Sequence, residues 1–108
     1  MVNKIVLACI SILFAISLAH AGEPLELATK LIASQMRVSV SSITPDMPLS
    51  KIGVGGDQLD AVELVMSIEE AVGKEITDAH FEKVMGKFDK SLAERITAKK
   101  VAQLISEL

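Results

Sequence analysis

Residues Ile5 to Ala19 form a stretch of 15 almost continuously apolar positions, and Lys4 is the sole charge before Glu23. The stretch runs into Ala19-His20-Ala21, a small-x-small pattern, and then Gly22. A basic start, a short apolar core and a small-residue site make up an export signal that is removed by cleavage. A helix that spans a bilayer needs about 20 apolar residues, so this stretch falls short of a permanent anchor. Cys9 does not mark a lipoprotein: ten further residues of signal character follow it, where a lipid-modified cysteine should end the run. The expectation is a signal peptide over 1–21 and a domain over 22–108. That domain is expected to be exported, periplasmic or secreted, with no stable membrane anchor after cleavage.

Removing 21 of the 108 residues would leave 87, with 10 basic against 14 acidic side chains, a net charge of −4. Cys9 is the one cysteine, so the remaining domain has no disulfide and must fold on its core alone. A chain of this size buries only about 60–65% of its unfolded surface. Its negative charge opposes nucleic acid, and Phe81 and Phe88, its only aromatic residues, make no base-stacking platform. His80 is its only histidine, which leaves no obvious parts for a metal site or a histidine-based triad. Gly53-Val54-Gly55-Gly56 lacks the following Lys-Ser/Thr of a phosphate-binding loop, and Asp57 would repel phosphate. No catalytic residues, metal or cofactor are expected, and the chain does not read as an enzyme.

Strand signals are scarce and helical periodicity dominates, so the fold class is all-α. Leu25, Leu27, Ala28, Leu31, Ile32 and Met36 recur at spacings of three and four after Pro24, which predicts a helix over 24–37. Thr44-Pro45 and Met47-Pro48 make 39–51 a long loop, with Val40, Ile43 and Leu49 as plugs into the core. Asp57 is suited to cap a second helix over 58–72, with Asp60 in its first turn and Gly73 as its stop. Thr77 or Asp78 can cap a third helix through Phe81, Val84, Met85 and Phe88, weakened by Gly86. Ser91 and Glu94 have the spacing of a capping box, which allows a new helical start near Asp89 to Ser91, and a last helix is expected over 97–107.

The second helix carries the most information. At 100° per residue, Ala61, Leu64, Val65, Ile68, Ala71 and Val72 share a core face, while Asp60, Glu63, Ser67 and Glu70 form a polar stripe. Leu59, Val62 and Met66 lie away from the core. The result is either an apolar strip bordered by acids, suited to a basic and partly apolar partner, or an ordinary solvated face with a few exposed apolar residues.

The segment from Gly55-Gly56-Asp57-Gln58-Leu59-Asp60 through Val62-Glu63-Leu64-Val65-Met66 to Glu69-Glu70 strongly resembles the start and recognition helix of acyl carrier proteins. Glu75-Ile76-Thr77-Asp78 and Ile96-Thr97 extend the resemblance over most of 25–107. It implies an acyl-carrier-protein-like four-helix bundle with a long first loop. The family's serine, which carries phosphopantetheine, is replaced by Gln58, and a carboxamide has no hydroxyl oxygen to phosphorylate. Val84 to Arg95 is longer than the family's connection between its third and fourth helices. Phe81, Val84, Met85, Phe88 and Leu92 recur at spacings that extend the third helix over the bundle, although the insert could instead form a partner surface.

Together these features predict a non-enzymatic interaction module. The resemblance implies that Val62 and Met66, with Asp57, Asp60, Glu63, Glu69 and Glu70, form its docking surface for a basic protein partner. Two alternatives stand beside it: non-covalent binding of a lipid or fatty acid between the helices, and a carrier with an atypical attachment site.

Overall fold

The computed structural model describes residues 23–108; the expected signal peptide, its cleavage site and Cys9 lie outside the described residues. Among the described residues all regular structure is helical: α1 (Glu23–Met36), α2 (Gln58–Val72), α3 (Asp78–Met85), the single turn α4 (Leu92–Arg95) and α5 (Ala98–Ser106). Two 3-10 turns, Val40–Ser42 and Leu49–Lys51, interrupt the long α1–α2 connection. The expected all-α, carrier-like bundle is therefore present, with the limits of α1, α2 and α5 within about a residue or two of those read from periodicity.

Apolar spacing explains the packing. α1 lies chiefly against α5 and secondarily against α2, while α3 leans on α5 and α4 fits between α2 and the second 3-10 turn. Ala28, Ile32, Leu64, Ile68, Val101 and Leu104 meet in the centre, each essentially inaccessible to solvent. Among the described residues no polar or charged residue is buried, so apolar packing holds the interior together. α1 ends at Arg37, whose φ of 57° turns the chain left-handed and lets the Val38 N–H donate to the Ala33 carbonyl at 3.0 Å.

The α1–α2 connection is stitched to the far end of the chain. The Leu49 N–H donates to the Ile96 carbonyl at 2.9 Å, and the Lys99 N–H to the Pro45 carbonyl at 3.0 Å. Ile43 and Leu49 are buried as expected, but Val40 is 48% exposed, because its 3-10 turn runs over the surface.

The insert departs most from expectation. The third helix does not continue through Phe88 to Leu92. It stops at Met85, where Gly86 takes φ 85°, a conformation that side-chain-bearing residues rarely adopt. Phe81, Val84, Met85 and Leu92 do enter the core, whereas Phe88 remains 46% exposed. Ser91 makes no side-chain cap either: the Asp89 carboxylate accepts the Ser91 N–H at 2.9 Å and takes over the local bonding.

A polar cluster ties α3 to the end of α5. Glu107 accepts from Gln103 Nε2 at 3.1 Å, its other oxygen lies 3.0 Å from His80 Nε2, and Lys83 Nζ is 3.7 Å away. The Gln103 and His80 contacts, with Lys83 adding charge attraction, hold the Glu107 carboxyl below its ordinary pKa. A carboxylate with a lowered folded-state pKa stabilises the fold above its ordinary pKa, and that contribution is lost as pH falls through the folded-state value. Glu107→Gln should therefore flatten the acid limb of stability, measured as the urea midpoint from neutral pH down to about pH 3.

Candidate functional site

The start of α2 is fixed by a reciprocal cap. Asp57 Oδ1 accepts the Asp60 N–H at 3.1 Å, and Asp60 Oδ2 accepts the Asp57 N–H at 3.1 Å. The motif satisfies two orphan donors of the first turn and sets two negative charges at the positive end of the helix dipole. Gln35 of α1 also reaches Asp60, with Nε2 at 3.4 Å from Oδ1. At the other end, α2 stops at Gly73, and Glu69 Oε2 accepts the Ile76 N–H at 2.8 Å, bracing the turn into α3.

These contacts divide the seven sequence-derived docking positions by the work each side chain does. Asp57 and Asp60 cap α2, and Glu69 supports the α2–α3 turn. Glu63 and Glu70 project from the exposed face. Among the described residues no Lys, Arg or His lies within ion-pair distance of either. Val62 and Met66 are 37% and 62% exposed, and Leu59 beside them is 64% exposed, so an apolar strip does run along α2.

Val62 and Met66 also form one wall of a depression of about 140 Å³ between α2 and α3. Val65, Ile76 and Phe81 line it as well, together with Phe88 from the insert. Asp78 brings a carboxylate to the lining. Sequence reasoning assigned Val65 to the core and Phe88 to a helix covering it, so it missed this concavity. The available signal was Gly86, whose helix-ending role separates Phe88 from the α3 periodicity.

Residues 26–84 match the family described as "Phosphopantetheine attachment site". The acyl carrier proteins of Helicobacter pylori strains G27 and HPAG1 are each 42% identical over 55 residues, covering 51% of this chain and 69% of theirs. The chain belongs to the acyl carrier protein family. The acyl carrier protein of strain J99 is 40% identical over the same length.

Membership raises the question whether these residues suit the group that the family description names. This acyl carrier homologue opens α2 on Gln58, directly after the Asp57 cap, and a carboxamide can hydrogen-bond a phosphate but cannot form its ester. Ser67 is nine residues further along α2, about 14 Å at the helical rise, and its hydroxyl donates to the Glu63 carbonyl at 3.1 Å. Ser50 sits in the second 3-10 turn and Ser91 in the insert. The donor set at the head of α2 does not fit a hydroxyl-linked arm. The cap should nonetheless contribute to stability: Asp57→Ala is expected to cost about 1 kcal/mol, read by urea denaturation.

Proposed function

We propose that this acyl carrier family member is an exported, non-enzymatic docking module that carries no phosphopantetheine arm. Gln58 is the observation on which the reading rests: it stands where the resemblance implies the family's serine, and it cannot bear a phosphodiester. The apolar start of the chain supports export. Export and loss of the arm are consistent, because a domain outside the cytoplasm is removed from coenzyme A as an arm donor.

With the covalent role gone, the exposed face of α2 retains the features of a recognition surface. Val62 and Met66 offer apolar contact, and Glu63 and Glu70 supply unneutralised charge next to it, with Asp57, Asp60 and Glu69 adding to the same field. A basic, partly apolar protein surface is complementary to this arrangement, and its binding should weaken as salt rises.

Two measurements test the proposal. The intact mass of the protein from its native compartment is expected to equal residues 22–108 unmodified; an added phosphopantetheine mass would refute it. Glu63→Lys combined with Glu70→Lys should weaken the complex with its partner at least roughly tenfold while helicity by circular dichroism stays unchanged. Unchanged affinity would remove α2 as the docking face.

A further inference from the structure

We infer that the depression between α2 and α3 is a socket for a single apolar side chain of a basic partner segment, and that the insert builds it. The inference rests on the docking reading above and specifies what that docking face receives.

Size is the first argument. The space is about 140 Å³, close to the roughly 150 Å³ of a protein cavity that accommodates benzene. Pockets that enclose drug-sized ligands begin at about 300 Å³. One leucine or aromatic side chain therefore matches the space, and an extended fatty acyl chain exceeds it.

Preorganisation is the second. Phe88 faces Phe81 with ring centroids 6.4 Å apart and planes tilted by 46°, within the range of favourable aromatic pairs. Its loop is held by one guanidinium. Arg95 Nε donates to the Met85 carbonyl at 3.0 Å, Nη1 to Asp89 Oδ1 at 3.1 Å, and Nη2 to the Lys87 carbonyl. A side chain on Gly86 would approach Arg95 Nε to 3.2 Å, so glycine also lets the clamp close. The loop that carries the half-exposed ring is thus held before any partner arrives, which lowers the ordering cost of binding. Arg95 is a positioning residue in this arrangement and Phe88 is the contact residue.

Charge is the third. Asp78 reaches the lining, and Glu63 and Glu70 lie along the adjoining helix face. Among the described residues none of these three carboxylates has a cation within ion-pair distance. Lys87 and Lys90 flank Phe88 in sequence, but neither lines the space. An apolar group carried next to a positive charge is complementary, and a fatty acid is disfavoured both by length and by its carboxylate.

The test uses the isotope-labelled full chain and three probes: phenethylammonium, 3-phenylpropionate and decanoate. Amide and methyl shifts at Val62, Val65, Ile76 and Phe81 should saturate with phenethylammonium, and 3-phenylpropionate should bind roughly fivefold or more weakly. The difference should narrow in high salt. Phe88→Ala should abolish the saturable shifts and Phe88→Leu should retain them. Arg95→Ala should weaken binding and broaden the signals of residues 86–91; because Phe88 is half-exposed, its variants keep the test decisive even if Arg95→Ala unfolds. Equal or tighter binding of 3-phenylpropionate, saturable binding of decanoate at the same residues, or shifts unaffected by Phe88→Ala would overturn the socket. Failure here with an intact effect of the Glu63 and Glu70 reversals would leave the docking face standing without its socket.

Discussion

The backbone of Leu49 joins three parts of the bundle that have little else in common. Its N–H donates to the Ile96 carbonyl at 2.9 Å, and its own carbonyl receives the N–H groups of Ile52 at 3.1 Å and Gly56 at 2.8 Å. Its side chain is completely buried. The closeness of the Gly56 contact excludes any larger residue, since a Cβ there would sit 2.9 Å from the Leu49 oxygen. The α1–α2 connection, the head of α2 and the α4–α5 junction therefore meet around one residue. Asp57 follows Gly56 directly, so the capping geometry of α2, and with it the orientation of the exposed face, is inherited from this meeting point.

Polar groups in the domain follow a simple division. None is buried among the described residues, and several near the surface finish backbone that helices leave unsatisfied. Asp57 and Asp60 complete the start of α2, Glu69 the turn after it, Thr77 the start of α3 and Thr97 the start of α5. Glu63 and Glu70 neither terminate a helix nor answer a cation among the described residues, a state they share with several other surface carboxylates, and what distinguishes them is the exposed apolar strip on the same helix. Val40 and Val54 are exposed singly in the α1–α2 connection, whereas Leu59, Val62 and Met66 share one helix, and Phe88 lines the depression beside them from the insert.

Local signals were sufficient for most helices. The aspartate cap and glycine stop bracket α2, the cap offered at Thr77 or Asp78 marks the start of α3, and apolar spacing locates α5. The exposed strip on α2 was legible for the same reason: rotation by 100° per residue places Val62 and Met66 off the core without any tertiary information. The insert was legible only in part: the Ser91–Glu94 spacing allowed a new helical start, where α4 begins at Leu92, but the stop of α3 at Met85 was missed. Its apolar spacing continues through Phe88 and Leu92, but the carbonyls of Met85 and Lys87 are captured by Arg95, many positions away, and Gly86 lets the chain turn to meet it. The cavity wall formed by Phe88 is a product of that long-range capture, and the exposed position of Val40 likewise follows from the path of a 3-10 turn and not from its hydrophobicity.

The pairing of α1 with α5 also governs when the domain can exist. The first helix finds its principal partner in the last, and the proline-bearing connection closes only on residues 96–99. A chain emerging from the N-terminal end during synthesis thus has only α2 to cover part of α1 until the last helix is available. Packing of α1 is therefore completed only by the last residues of the chain to be made, since domains fold as units once their partner elements are present.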